Sequence, residues 1–219
     1  MDTISITIGI ILMDKTTTCK RMYKEFTRVF NKIRKNDKYI INDFYIRYDE
    51  PNIIEFIKSH QCDSIIISGS EERICNKNSP DLPLSVLKMG LPILALCYGY
   101  EWIVTKLGGK VATFKDAQKH SYRKFIEFKV PFKLSKKSYA FCHHEYISTL
   151  PYSEGWQEIY RNEDEIWIAV HSKKNWLCLQ FHPEVSILSG EAFYTAWINW
   201  LKDSAILKIH RFKDSKNDL

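Results

Sequence analysis

Ile93-Leu94-Ala95-Leu96-Cys97-Tyr98-Gly99-Tyr100-Glu101 is the stretch on which the fold turns. Residues 92–96 read as a short, continuously apolar strand, the pattern of a strand buried on both faces. A helix is predicted from about Tyr98 to Leu107, closed by Gly108-Gly109. Cys97 is left alone on the sharp turn between them, the geometry of a nucleophile elbow. Such a turn is strained and needs small residues two places to either side; Ala95 and Gly99 stand there. An elbow lifts its side chain out of the sheet edge and sets it at a helix N-terminus, where the macrodipole favours a thiolate. The backbone N–H of Tyr98 then points to where an oxyanion would form. The same residues also suit a buried structural cysteine at a strand end, since free cysteine is commonly buried.

Working outward, strand and helix alternate through the first half. ISITIGIIL (4–12) reads as a first strand. Residues 18–34 are helical in period, with Met22, Phe26, Val29, Phe30 and Ile33 on one face and Lys or Arg elsewhere. YIINDFYIR (39–47) is a second strand, and Pro51 opens a short helix carrying Ile53, Ile54, Phe56 and Ile57. Residues 64–68 form a third strand that stops at Gly69, and 84–90 end a helix at Gly90. The second half is richer in strands, at 111–114, 125–130, 138–142, 157–160, 166–170 and 176–181, before a final helix over about 190–202. The expected fold is α/β: a flavodoxin-like three-layer sandwich with a mostly parallel central sheet and added strands in the second half. One domain over 1–203 is expected, with a polar, fraying C-terminal tail at 204–219.

The totals agree with this reading. A chain of 219 residues with 45% apolar content has room for one buried α/β core. No apolar run reaches the roughly 18 residues of a membrane span. The N-terminus lacks the basic start of a signal peptide, so a cytoplasmic protein is expected. The six cysteines are scattered without a C-x-x-C pair, which fits neither a disulfide framework nor a zinc site. Residues 110–137 hold nine Lys or Arg against Asp116 and Glu127, a local net of +7 in a chain of net +6. That stretch is either a solvated face or a surface for an anionic ligand or acidic partner. It lacks the interleaved base-stacking aromatics of a nucleic-acid module, so no nucleic acid is expected.

A thiol nucleophile needs a base, and the base needs a third group to orient it. Gln180-Phe181-His182-Pro183-Glu184 follows an apolar strand, so His182 falls near a strand end, where α/β folds place their sites. Glu184, held two residues on by Pro183, suits the third role. Taken with the elbow, the motif predicts a triad of Cys97, His182 and Glu184. His143-His144-Glu145 suggests a metal site at first sight, but adjacent strand residues point to opposite faces, so no metal is expected.

These motifs resemble those of the class I (triad) glutamine amidotransferases, whose signatures are a G-x-C-x-G-x-Q elbow and a late F-H-P-E. Phe181-His182-Pro183-Glu184 matches in full, and the elbow departs at its two ends, Ala95 and Glu101. The likeness covers roughly residues 5–201 and within the family is to the amidotransferase part of GMP synthases. Ile65-Ile66-Ile67-Ser68-Gly69-Ser70 resembles the strand and oxyanion loop, Ser121-Tyr122-Arg123-Lys124-Phe125 the R-E-Y/F-G segment without its glycine, and Cys142-His143-His144-Glu145-Tyr146-Ile147 the S-H-x-D-x-V segment.

The resemblance implies hydrolysis of glutamine through a γ-glutamyl thioester, with the ammonia passed to an ATP-dependent synthetase and no cofactor needed. It implies substrate contacts at Gly69, Ser70, Tyr98, Glu101, Cys142, His143 and His144, the last three on a substrate-lining loop. Gly69-Ser70-Glu71 stands where the family has Gly-Gly-Pro, and Glu101 where it has the glutamine that helps hold substrate. A carboxylate at 101 would disfavour the thiolate. No synthetase half follows residue 219, so the protein is expected to work with a separate partner, or without one. A stand-alone γ-glutamyl hydrolase and a non-catalytic relative that binds a partner are the alternatives.

Overall fold

The structure is a computed structural model and describes residues 3–115, 120–129, 131–151, 153 and 155–203. In chain order its strands and helices are β1 (Ile4–Leu12), α1 (Thr16–Ile33), β2 (Tyr39–Arg47), α2 (Ile53–Ser59), β3 (Ser64–Ile67), β4 (Ile93–Leu96), α3 (Tyr98–Lys106), β5 (Lys110–Thr113), β6 (His120–Phe128), β7 (Leu134–His143), β8 (Glu145–Thr149), β9 (Trp156–Asn162), β10 (Glu165–His171), β11 (Trp176–Leu179) and α4 (Ile187–Asp203). A central sheet runs β2-β1-β3-β4-β11-β10-β9. The first five of these are mutually parallel, and β10 and β9 turn antiparallel at one edge.

The period-two alternation of each strand divides its side chains between two cores. Ile4, Ile6, Ile8 and Ile10 of β1, with Ile66 and Leu94, face α1 and α4. Ile11, Ile65, Ile67, Ile93 and Ala95 face α2 and α3. On α1 Met22, Phe26, Val29, Phe30 and Ile33 are buried, the stripe read from the sequence, and Cys19 extends it by one turn. The result is a mostly parallel α/β sandwich of three layers, as expected.

Two antiparallel pairs, β5–β8 and β6–β7, are added outside the main sheet. Here the sequence reading needs correction. β6 begins at His120, not 125, because its first residues are polar and at most half-buried and give no apolar signal. The segment 145–149 is a strand rather than loop: Glu145 and Ile147 point inward while Tyr146 and Ser148 are half-exposed. The segment before Gly90 is only a 3-10 helix, Leu84–Lys88. Much of the basic stretch lies on the β6–β7 hairpin, where Lys124 sits over the Tyr122 ring and Lys136 over Phe125. The expected polar tail at 204–219 lies outside the described residues. Among those described, no helix is long and apolar enough to cross a membrane.

Candidate active site

Three neighbouring strands, β3, β4 and β11, end at one edge of the sheet, and each is followed within three residues by a predicted site residue. Gly69 and Ser70 follow β3, Cys97 follows β4, and His182 follows β11.

Cys97 has φ 48° and ψ −110°, a conformation rare for a residue with a Cβ. Its N–H donates to Leu179 O at 2.7 Å, and its own carbonyl accepts from Glu101 N at 3.0 Å, opening α3. A Cβ on Gly99 would stand 2.5 Å from Ile67 O, so only glycine lets the helix start so close to β3. Gly69 is needed for the same kind of reason: a Cβ there would meet His182 Cε1 at 2.8 Å and Cys97 Cβ at 3.5 Å. The loop after β3 therefore touches both the thiol-bearing residue and the imidazole.

That loop is fixed by polar contacts. Ser68 Oγ accepts from Met13 N at 2.9 Å, and Asp14 Oδ2 accepts from Glu71 N at 2.6 Å. Arg21 and Lys15 at the start of α1 pair with Glu71 and Glu72 at 2.8 and 2.7 Å. Side chains from the β1–α1 junction thus hold Gly69-Ser70-Glu71 without a proline.

His182 Nδ1 meets Glu184 Oε1 at 2.8 Å, and Glu184 is 2% exposed. Pro183 starts a short 3-10 turn, Pro183–Val185, that brings the carboxylate back under the ring. The His182 N–H donates to Ala140 O of β7 at 2.8 Å, so the added hairpin fixes the backbone of this residue. Burial opposes a charge on His182. The negative charges of Glu184 and of the Cys97 sulfur outweigh it, and the imidazole is held well above its ordinary pKa. Burial raises the Cys97 thiol above its ordinary value, and His182, by charge and hydrogen bond, and the Tyr98 N–H oppose this without reversing it. The imidazole beside the sulfur is the group placed to take its proton, with Glu184 stabilising the cation so formed.

A cleft of about 220 Å3 opens beside His182, lined by Ser70, Cys142, His182 and Glu184 and, from α1, by Arg21 and Glu25, while Cys97, 3% exposed, is not among its lining residues. Three larger grooves lie away from the thiol, two of about 490 and 580 Å3 along α1 and α4 and one of about 350 Å3 among Phe114, His120, Tyr146 and Glu165. Chemistry and not size marks the site. Glu25 is half-buried, and its carboxyl is pushed up by burial and by the charge of Glu184. Arg21 and Glu25 sit one helical turn apart at the cleft, where Glu71 also lies and pairs with Arg21 at 2.8 Å.

The residues of the S-H-x-D-x-V-like segment separate. Cys142 lines the cleft, and its carbonyl accepts from the Cys97 thiol at 3.7 Å. His143 points away, its Nε2 3.2 Å from Glu165 Oε2 and its ring among Phe114, Tyr122 and Phe141. His144, the single residue between β7 and β8, approaches Arg73 at 3.4 Å, and Glu145 accepts from Ile74 N at 2.7 Å. The expected loop is a strand-to-strand junction because alternation sends neighbouring side chains apart. Tyr98 turns its hydroxyl to Pro80 O at 2.6 Å and leaves its N–H at the elbow.

Glu101 does not line the cleft. It is 3% exposed behind the elbow, where its Oε1 accepts from Gln180 Nε2 at 2.9 Å. Burial, with the charge of Glu145 adding to it against the opposing Gln180 bond and His182, raises its carboxyl to about 8. The carboxylate expected from the sequence is therefore mainly a neutral acid at pH 7. Arg21, Glu25 and Gln180 were missed. An Arg/Glu pair at i, i+4 on the polar side of α1 was the available signal for the first two. Gln180, inside the Gln-Phe-His-Pro-Glu motif, carried none of its own.

With this geometry in hand, the chain can be set beside known proteins. The family profile described as glutamine amidotransferase class-I matches residues 22–197. The chain belongs to the class-I glutamine amidotransferase family. It is 34% identical over 140 residues to a GMP synthase [glutamine-hydrolyzing] of Brachyspira hyodysenteriae, covering 60% of this chain and 26% of that protein. It is 30% identical over 161 residues to the Wigglesworthia glossinidia brevipalpis enzyme of the same name, covering 68% of this chain and 30% of the other. It thus spans about a quarter to a third of the length of these relatives. Among solved structures, the glutaminase domain of Trypanosoma brucei CTPS with bound acivicin superposes with a TM-score of 0.62 at 14% identity, covering 93% of this chain and 94% of that one. A Thermoplasma acidophilum protein, provisionally described as one of the subunits of a GMP synthase, gives 0.65 at 15% identity, covering 93% and 97%. The structural likenesses carry the fold alone.

Proposed function

We propose that this chain hydrolyses the side-chain amide of glutamine, or of a related γ-glutamyl compound, and passes ammonia to a separate ATP-dependent synthetase in a GMP-synthase-like, cytoplasmic system. The observation that carries this is Cys97 at positive φ on an elbow, directly beside the His182–Glu184 pair on the adjacent strand end.

In the proposed reaction the Cys97 thiolate attacks the amide carbon, and the carbonyl oxygen becomes an oxyanion facing the N–H of Tyr98 and a backbone N–H at Gly69 or Ser70. His182 gives its proton to the departing nitrogen, so ammonia leaves and a γ-glutamyl thioester remains on the sulfur. Water then adds to the thioester, giving its proton to His182; glutamate leaves and the thiolate–imidazolium pair is restored. Glu184 keeps the imidazole oriented and stabilises its charge throughout. The α-ammonium and α-carboxylate of a free amino acid suit the opposed charges of Glu25 and Arg21 at the cleft, with the Cys142 carbonyl as a further acceptor.

The test is ammonia release from glutamine and from γ-glutamyl dipeptides, with and without a synthetase partner, together with labelling by a glutamine-like diazoketone. Glutaminase activity that rises with the synthetase, and label on Cys97 alone among the six cysteines, is the expected result. Turnover of dipeptides with no partner would instead favour a stand-alone hydrolase. No ammonia and label spread over Cys62, Cys142 or Cys178 would leave a binding protein.

A further inference from the structure

Two buried polar side chains near the elbow have no task in the reaction just described. Gln180 is fully buried; its Nε2 donates to Glu101 Oε1 at 2.9 Å and lies 3.8 Å from Cys97 Sγ. Its Oε1, equally enclosed, has no hydrogen-bond partner. An amide oxygen left unsatisfied in the interior is costly, and such atoms call for an explanation. Glu101, beside it, forms no ion pair with a described residue. A carboxylate could offer Gln180 Oε1 nothing, because it only accepts; a carboxylic acid carries one O–H to donate.

We propose that Glu101 and Gln180 form a neutral acid–amide pair behind the elbow, the Glu101 proton going to Gln180 Oε1 and the Gln180 Nε2–H to Glu101 Oε1. One proton then answers both problems, the orphaned oxygen and the buried charge. A carboxylic acid and a carboxamide share a shape and a one-donor, one-acceptor edge, so Glu101 in this form serves as a neutral substitute for the family glutamine. Both are positioning residues: they hold the floor under Cys97 and do not touch substrate.

The titratable groups around Glu101 agree with this. Cys97 and Tyr98 precede it on the elbow, Glu145 faces it from β8, and His182 faces it from beyond β11. Glu145 disfavours a charge on Glu101 and His182 favours one, and burial outweighs both, pushing the carboxyl up to about 8. Above that pH the acid loses its proton, Gln180 Oε1 loses its donor, and a negative charge appears beside the sulfur. That charge disfavours the thiolate.

The inference rests on Cys97 being the reactive thiol but not on what it hydrolyses, so its test needs no glutamine and no partner. The rate at which iodoacetamide alkylates Cys97 is followed from pH 6 to 9.5 in the wild type and Glu101→Gln, with Cys97→Ala giving the background of the other cysteines. The two profiles should coincide below about pH 7 and separate above 8, the wild type lagging by about tenfold at pH 9, a one-unit rise in thiol pKa. A lag already present at pH 6 would mean an ionised Glu101, and coincidence up to pH 9.5 would mean that no charge reaches the sulfur; either overturns the proposal. Gln180→Glu places two carboxyls where one proton must be shared, and the lag should then appear below pH 7. A wild-type profile in that variant would remove Gln180 from the pair. Independently of thiol reactivity, infrared spectra at pH 6.5 should show a carboxylic-acid carbonyl band that Glu101→Gln lacks; equal spectra would count against the neutral acid.

Discussion

Two carboxyl groups flank Cys97, and both are all but sealed from water: Glu184 is 2% exposed and Glu101 3%. Each accepts one short bond from a nitrogen of the 180–182 segment, Glu184 from the His182 imidazole at 2.8 Å and Glu101 from the Gln180 amide at 2.9 Å. Burial disfavours any charge there, and the partner decides how that is answered. An imidazole can take a proton and become a counter-charge, and His182 is held well above its ordinary pKa with Glu184 among the causes. An amide cannot, and the Glu101 carboxyl rises to about 8. One side of this thiol is therefore built around an ion pair and the other around an uncharged pair, from the same side-chain chemistry at the same depth.

The largest effect should come from removing what both carboxyls act upon. Cys97→Ala should abolish ammonia release and diazoketone labelling while leaving circular dichroism and melting temperature near wild type, because the volume change is small. Next, the same substitution made at both carboxyls should separate them. Glu184→Gln should lower turnover by about 10⁴-fold at pH 7, the scale seen when a triad acid becomes an amide, whereas Glu101→Gln at pH 6.5 should stay within about twofold. Similar losses in both would erase the distinction between the ion pair and the uncharged pair.

The pH dependence of stability gives a smaller and independent reading. The Glu101 pKa is raised from 4.5 to about 8 in the folded state, so the native protein binds the extra proton. Its contribution is fully present below about pH 4.5 and is lost as pH rises through 8, a fall on the order of a few kcal/mol. Melting temperatures of the wild type and Glu101→Gln should therefore converge at low pH and diverge toward pH 9, the variant being flatter. Parallel curves would mean that Glu101 does not titrate between the two states.

How much of this was legible in the sequence follows from where each signal is stored. The parallel half was readable because its strands are unbroken runs such as Ser64–Ile67 and Ile93–Leu96, buried on both faces. The elbow was readable because Ala95 and Gly99 are small, and at Gly99 the reason is local, the close approach of Ile67 O. His182 and Glu184 are two residues apart, so their contact is local too. β8 was missed because its outward residues, Tyr146 and Ser148, hide a two-residue alternation inside a stretch read as loop. The Glu101–Gln180 contact spans 79 residues of sequence and exists only after β4 and β11 have paired. Residue type alone set a charge at 101; burial, which is tertiary, removed it.

The hairpin also has a mechanical meaning. β7 presents two carbonyls, two residues apart, to the centre of the site: Ala140 O takes the His182 N–H at 2.8 Å, and Cys142 O faces the Cys97 sulfur at 3.7 Å. The same strand runs back to Leu134, on the order of 30 Å for its ten residues, through the lysine-bearing stretch Lys136-Lys137 and alongside Arg123 and Lys124 of β6. The ribbon thus ties the lysine-bearing stretch at its far end to the His182 backbone and the Cys97 sulfur at its near end.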